Sequence, residues 1–137
     1  MRDWKINPKI LCTKHLMGNH VELHMFVGTL NKGVSIQGYL DKGLIEVHNI
    51  KKRHEELVKE IESRGFKHNS PLVDFKEFIA GEINIEENVK DLINRCPECK
   101  RRYLLNQKIE IIMQRYRINN LNFVLDVQKL QNRGIIQ

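Results

Sequence analysis

A short segment of the chain, residues 15 to 24, holds several polar side chains that could take part in chemistry. Its sequence is His-Leu-Met-Gly-Asn-His-Val-Glu-Leu-His. On a helix, residues seven apart lie on nearly the same face, so His15 and Glu22 share one stripe with Gly18 between them. The glycine leaves a gap through which a backbone segment could approach Glu22. Spacing alone is also compatible with Glu22 as a solvated residue, as most glutamates are.

A possible metal site combines histidines of this segment with two cysteines further along the chain. His20 and His24 are four residues apart, and Cys96 and Cys99 are separated by two residues. If the two pairs met, they would form a closed tetrahedral zinc site of the structural kind. One Cys-x-x-Cys pair is only half of such a signature, so the simpler alternative is two reduced, partly buried cysteines without a metal.

The same residues superficially fit the zinc-dependent nucleobase deaminases, whose signature joins His-x-Glu to Cys-x-x-Cys. The two segments here would be His20-Val21-Glu22 and Cys96-Pro97-Glu98-Cys99. The proline lies between the cysteines instead of before them, and the chain lacks the alternating strand pattern of an α/β fold. The sequence therefore disfavours a deaminase.

Composition and charge point to a globular protein with a polyanionic partner. The apolar fraction is 41%. The chain has 23 Lys and Arg and 17 Asp and Glu, which gives a net charge of +6. A basic balance favours nucleic acid through steering and counterion release. No apolar run approaches the roughly 20 residues of a membrane span, the first residues lead into no signal peptide, and three cysteines form no secreted disulfide framework. We expect a monomeric cytoplasmic protein, in the cytoplasm of the host cell if a phage encodes it.

The elements that must position these residues are predicted to be helices. The first helix is expected from Asn7-Pro8, a cap followed by a first-turn proline, to about Gly28. A glycine-containing loop is predicted over 31–43, and a second helix over 47–64 that stops at Gly65. A capping box of Asn84 and Glu87 predicts the start of a third helix. A proline, Pro97, starts another helix, and the tail over 106–137 is expected to form one or two helices ending at Gly134.

The fold class predicted from these signals is all-α. We expect a single compact domain over 1–137, built of about three main helices, shorter helices and a helical C-terminal tail. No internal repeat or low-complexity linker divides the chain.

Three groups of residues resemble the bacteriophage pyrimidine dimer DNA glycosylase/AP lyase family, also called the endonuclease V family. The groups are Met1-Arg2 with His15-Leu16-Met17 and Glu22-Leu23; Arg53, Glu56-Leu57 and Arg64-Gly65-Phe66; and, more weakly, Arg95, Pro97 and Tyr103. The resemblance spans about residues 1–104, which leaves 105–137 as a C-terminal extension.

The resemblance implies a DNA repair enzyme that removes a damaged base and nicks the strand by β-elimination. In that family the nucleophile is the α-amine of the first residue, assisted by a glutamate on the first helix. These positions match Met1 and Glu22, and the bulk of Arg2 leads us to expect that Met1 is retained. An α-amine is much less basic than a lysine, so a usable fraction is unprotonated at neutral pH. No metal or other cofactor is required.

The resemblance also implies a set of contacts to damaged double-stranded DNA. We assign Arg2, His15, His20, His24 and Arg53 to this set, with Arg53 also expected to act as a structural cation. The family has arginines just before and just after its glutamate, where this chain has Val21 and Met25. This departure puts the same dimer specificity in question, and the two histidines could partly replace those arginines.

The alternative function is a basic helical module that binds DNA without catalysis. Its candidate contact segments are Lys51-Lys52-Arg53-His54 and Lys100-Arg101-Arg102. Such a module would depend on neither Met1 nor Glu22, which separates the two hypotheses.

Overall fold

The computed structural model describes the backbone of residues 1–132 and the side chains of residues 1–119. Its helices are α1 (Thr13–Asn31), α2 (Gln37–Asp41), a 3₁₀ turn (Val47–Asn49), α3 (Ile50–Ser63), α4 (Ile85–Arg95) and α5 (Pro97–Asn132). No strand occurs within the described backbone, so the all-α prediction is confirmed. The chain divides into two compact units, Met1–Tyr103 and Leu104–Gln137. Both residue clusters described below lie in the first unit.

Several helix ends lie where local sequence signals predicted them. The Asn84 side chain accepts a hydrogen bond from the Glu87 amide at 3.1 Å, the capping contact expected at the start of α4. Gly65 follows α3 with a φ of +86°, a left-handed conformation that glycine adopts without strain. Pro97 opens α5, which continues without interruption to Asn132. The expected end of the tail at Gly134 lies outside the described residues.

The first helix begins later than the sequence predicted. Asn7 and Pro8 form a turn instead, in which the Ile10 and Leu11 amides donate to the Asn7 and Pro8 carbonyls at 2.9 and 3.2 Å. Cys12 is then extended, with φ −65° and ψ 163°, and α1 starts at Thr13. This break allows Ile10 and Leu11 to be buried in the core, which a continuous helix would not. The predicted loop over 31–43 also contains the short helix α2.

Helices α1 and α3 pack against each other and contribute a large share of the core. The buried apolar side chains of the two helices are Leu16, Leu23, Phe26 and Val27 of α1 and Ile50, Leu57, Val58 and Ile61 of α3. Leu92 of α4 and Cys99 of α5 are fully buried as well. This packing fixes the relative positions of α1 and α3, and the two helices carry several of the functional candidates.

The segment between α3 and α4, residues 66–84, has no regular secondary structure. It is tied back near its end, where the Val47 amide donates to the Ala80 carbonyl at 3.0 Å. Gly81 follows with a φ of +91°, and a Cβ there would collide with the Ile45 carbonyl. At its start, the Phe66 amide donates to the Ile61 carbonyl at 3.2 Å.

None of the described helices combines the length and apolar character that a membrane span requires.

Candidate functional site

The amino-terminal segment lies directly against α1, at the glutamate singled out in the sequence. The backbone amide of Arg2 donates a hydrogen bond to the Glu22 carboxylate, with a distance of 3.1 Å from nitrogen to Oε2. Both residues are half-buried, as is Met1. The Met1 nitrogen is three covalent bonds from the Arg2 nitrogen, so the two atoms are within about 4 Å. The structure therefore brings Met1 and Glu22 into one neighbourhood.

A buried polar network holds this segment in place. The Arg53 guanidinium donates to Asp3 Oδ1 and Asn19 Oδ1, both at 3.1 Å, and to the Ile6 carbonyl at 2.7 Å. Asn19 in turn accepts a hydrogen bond from the Trp4 amide at 3.3 Å. The network joins the segment to α1 and α3, so it fixes where the first residues lie.

This network corrects the assignment of Arg53 to DNA contact. Arg53 is only 3% exposed and Asp3 only 1%, so the guanidinium has no face for a phosphate. It is the structural cation that the sequence also suggested. Removing one partner of a buried ion pair typically costs about 3–5 kcal/mol, because the other charge is left uncompensated.

The side chain of Arg2 is engaged by α4. Its guanidinium donates to Asp91 at 3.0 Å and to Asn88 at 2.6 Å, and it stacks 3.8 Å from the centre of the Trp4 ring. A phosphate contact by Arg2 would therefore have to share or replace the ion pair with Asp91. No sequence pattern indicated this partner, since 89 residues separate the two.

The gap expected at Gly18 is present but not filled. A Cβ built at Gly18 meets no atom within 4 Å, and the residue is exposed. The amino-terminal segment thus reaches Glu22 without packing on Gly18, contrary to the expectation that backbone enters this gap. The open surface beside Glu22 is left free for a ligand.

Four candidate metal ligands meet where the chain before α1 contacts the start of α5. They are Cys12, His15, Cys96 and Cys99, whose ligand atoms all lie within 4.8 Å of one another and could hold a metal ion. The Sγ atoms of Cys12 and Cys96 are 3.9 Å apart, and His15 Nδ1 lies 3.1 Å from Cys12 Sγ and 3.5 Å from Cys99 Sγ. All three cysteines are free thiols.

Two of these three distances agree with the edges of a tetrahedron around zinc, whereas the distance from His15 Nδ1 to Cys12 Sγ is about 0.5 Å shorter than such an edge. With zinc about 2.3 Å from sulfur and about 2.0–2.1 Å from nitrogen, two sulfurs lie about 3.8 Å apart and sulfur and nitrogen about 3.6 Å apart. Backbone amides point at the sulfurs, with Cys12 N 3.2 Å from Cys99 Sγ and Cys99 N 3.5 Å from Cys96 Sγ. Such donors stabilise thiolates. Burial, with smaller contributions from the neighbouring Cys96 and Cys12 thiols, raises the pKa of the Cys99 thiol to about 12, and a coordinated cation would remove that proton.

A second group of four histidines meets where α1, α3 and the irregular segment come together. It consists of His20, His24, His54 and His68, again with all ligand atoms within 4.8 Å of one another. Burial, and then the neighbouring histidines, lower the pKa of His20 to about 4. Burial also lowers the pKa of His24 and of His54. Burial thus favours the neutral form of His20, His24 and His54, the form in which an imidazole can bind a metal.

The two clusters correct the mixed zinc set proposed from the sequence. His20 and His24 do not meet Cys96 and Cys99, because the two pairs belong to different clusters. The histidine pair faces α3, whereas the cysteine pair faces the residues before α1. His15, expected to contact DNA, lies with the cysteines, while His20 and His24 lie among histidines. All three face potential metal ligands.

The sequence interpretation missed Cys12, His54 and His68 as candidate ligands. One signal for Cys12 was available, because Cys12-x-x-His15 has the same spacing as Cys96-x-x-Cys99, and two such pairs are typical of a zinc site. No spacing rule connects His54 or His68 to α1, since they lie 34 and 48 residues beyond His20.

The basic clusters of the sequence are partly neutralised by acidic neighbours. Arg101 pairs with Glu98 at 2.7 Å, and Lys51 lies 4.0 Å from Glu77. Arg102 donates to the Lys9 carbonyl at 2.9 Å. Exposed ion pairs of this kind are weak, so a polyanion could compete for these cations.

Comparison with known proteins gives one match. A family model described as pyrimidine dimer DNA glycosylase matches residues 1–74, more than half of the 137-residue chain. The matched range contains the amino-terminal segment, α1, α3 and all four clustered histidines. No curated protein and no solved structure matches the chain.

Proposed function

This chain belongs to the pyrimidine dimer DNA glycosylase family, and on that premise we propose that it is a DNA glycosylase with AP lyase activity on damaged double-stranded DNA. The observation that carries the proposal is the contact between the Arg2 amide and the Glu22 carboxylate at 3.1 Å. It supports a site in which the first residue and a helix carboxylate act on the same sugar. The net charge of +6 supports a DNA substrate.

In the proposed reaction, the lone pair of the Met1 α-amine attacks C1′ of the damaged nucleotide. The bond between C1′ and the base breaks, and the base leaves with that electron pair and takes up a proton. The sugar ring opens, and the nitrogen then forms an imine with C1′. At an abasic site the same amine adds to the aldehyde, and water is lost.

Strand cleavage follows from the imine. The protonated imine withdraws electrons from C2′, so a proton can be removed there and the bond between C3′ and the phosphate oxygen breaks by β-elimination. Glu22 is the proposed proton acceptor, and its charge stabilises the cationic species that precede elimination. The amide hydrogen bond from Arg2 fixes the carboxylate beside the reacting amine.

The lesion preference of the site is expected to differ from that of relatives with arginines around the glutamate. Val21 and Met25 occupy those positions here, and both are exposed. Apolar side chains cannot pair with phosphates, although they can contact bases. We therefore propose recognition of damaged or abasic DNA without committing to one lesion.

A panel of matched duplexes tests the proposed function. We expect cleavage of duplexes that carry a pyrimidine dimer or an abasic site, and no cleavage of the undamaged duplex, because only a displaced or missing base exposes C1′ to the amine. Gel analysis of end-labelled strands gives the readout. Binding to all three duplexes with cleavage of none would instead support the module that binds DNA without catalysis.

We further propose that Cys12, His15, Cys96 and Cys99 hold a structural zinc ion. Four protein ligands close the coordination sphere, so the ion would have no open position for a substrate. The site would fasten the residues before α1 to the start of α5. It would contribute to folding and leave the amine and the carboxylate to perform the chemistry.

Substitution of one cysteine tests the zinc proposal. Cys99→Ser should remove one zinc equivalent per chain, measured by elemental analysis, and should lower the melting temperature markedly, because metal binding at such a site is folding free energy. Glu98→Gln, between the two cysteines and exposed, is the matched control and should change neither. Full reactivity of all three wild-type thiols toward a thiol reagent, with no release of zinc, would contradict the proposal.

A further inference from the structure

We propose that His20, His24, His54 and His68 form a second metal site, an all-imidazole site for a zinc-type divalent ion that fastens the irregular segment 66–84 to α1 and α3. This inference is independent of the proposed enzymatic function. It uses no cysteine, and it shares no ligand with the cluster around Cys12.

The first argument is the convergence of four equivalent ring nitrogens. His20 Nε2 lies 2.9 Å from His68 Nε2, 3.1 Å from His54 Nε2 and 3.3 Å from His24 Nε2. A ring nitrogen carries either one hydrogen or one lone pair, so it makes one good hydrogen bond. Hydrogen bonding among the rings therefore accounts for only one of these three contacts. A cation at the centre uses the lone pairs of all four rings together.

The second argument is geometric and concerns the coordination number and shape. In a tetrahedral site with metal–nitrogen distances of about 2.0–2.1 Å, every pair of nitrogens is about 3.3 Å apart. In a square-planar site of the same size, each nitrogen has one partner about 4 Å away, across the metal. His20 Nε2 has all three partners within 3.3 Å. These three distances from His20 therefore fit a tetrahedral site better than a square-planar one, which favours zinc over copper(II).

The third argument is the environment of the rings. His20 and His54 are buried and His24 and His68 are half-buried, so the centre of the cluster is shielded from water. The other ring nitrogen of His54, Nδ1, lies 3.6 Å from the Glu55 carboxylate. A carboxylate beside Nδ1 orients the ring and leaves Nε2 to bind the metal. Metal-bound histidines commonly have such a partner at the other ring nitrogen.

The consequence for the fold follows from where the ligands reside. His20 and His24 lie on α1 and His54 on α3, whereas His68 lies in the segment that has no helix or strand to hold it. A bound ion would cross-link this segment to the helix pair near its start, far along the chain from the backbone tie at Ala80. With four protein ligands, the ion stabilises and does not take part in hydrolysis.

The test is titration of the metal-free protein with zinc alone. We expect two zinc equivalents per wild-type chain, one for each cluster. His68→Gln and His24→Gln, at the two less buried ligands, should each weaken binding of one equivalent by more than about 100-fold, since changes outside the ligand shell alone cost about 10–100-fold. His48→Gln, the matched control, removes the histidine outside both clusters and should still bind two.

Two further measurements distinguish this site from the cysteine site. With cobalt(II) in place of zinc, the histidine variants should keep the thiolate charge-transfer absorption that Cys99→Ser loses. Trypsin should cut after Lys67 and Lys76, both exposed, more slowly in the zinc-loaded wild type than in His68→Gln. Circular dichroism shows whether a variant has folded. The zinc stoichiometry of the wild type tests the proposal even if a variant does not fold. One zinc per wild-type chain, or two that both histidine variants retain, would overturn the proposal.

Discussion

Acetylation of the Met1 α-amine should abolish covalent trapping of the protein on DNA while leaving equilibrium DNA binding nearly unchanged. With the unmodified protein, borohydride should reduce the imine to a stable adduct with an abasic duplex. Peptide mapping should then place the adduct on the first residue. The acetylated nitrogen is an amide whose lone pair is delocalised, so it cannot attack C1′. An uncleaved amino-terminal extension should have the same effect.

The nearest alternative nucleophile provides the control. Lys5 is the first lysine of the chain, and its Nζ is engaged in an ion pair with Glu46 at 2.6 Å. Lys5→Arg preserves that pair and should leave trapping at the wild-type level. Full-rate cleavage by the acetylated protein, or an adduct mapped to a lysine, would refute the amine mechanism, and DNA binding without catalysis would become the leading hypothesis.

Glu22→Gln should lower the rate of strand cleavage by about 10²–10⁴-fold, the usual contribution of a positioned acid–base group. The amide oxygen of glutamine can still accept the hydrogen bond of the Arg2 amide at this position, so the amino-terminal segment should keep its place. What the substitution removes is the negative charge and the proton acceptor. DNA affinity should be equal or higher, because a charge that repels phosphate is lost.

Single-turnover cleavage of an abasic duplex measures this effect separately from product release. Glu62→Gln removes the same charge from an exposed position on α3 and should cleave at the wild-type rate. If Glu22→Gln also cleaves at that rate, the carboxylate has no chemical role, and its contact with Arg2 is only structural.

The proposed mechanism and the proposed metal sites are compatible because they use different residues, the first for catalysis and the second for stability. The amine and the carboxylate lie at the surface end of a segment anchored by Asp3, Asn19 and Arg53. The two clusters join separate parts of the chain: the residues before α1 and the start of α1 to the start of α5, and the irregular segment to α1 and α3. A small protein gains stability from such cross-links without enlarging its core.

The sequence by itself determined the features that depend on neighbouring residues. The Asn84 cap, the left-handed Gly65 and the start of α5 at Pro97 each involve groups within a few positions along the chain, so composition and order were sufficient. The family resemblance, stated over about residues 1–104, also came from the sequence, and the family model matches residues 1–74 of that range.

Only the tertiary structure decided which distant side chains meet. The buried role of Arg53, the ion pair of Arg2 with Asp91, and the separation of the histidines from the cysteines all depend on how α1, α3 and α4 pack. Cys12 and Cys99 are 87 residues apart, and no local periodicity carries information over that distance. Packing of the core also ended the predicted first helix early, because burying Ile10 and Leu11 required a turn before Thr13.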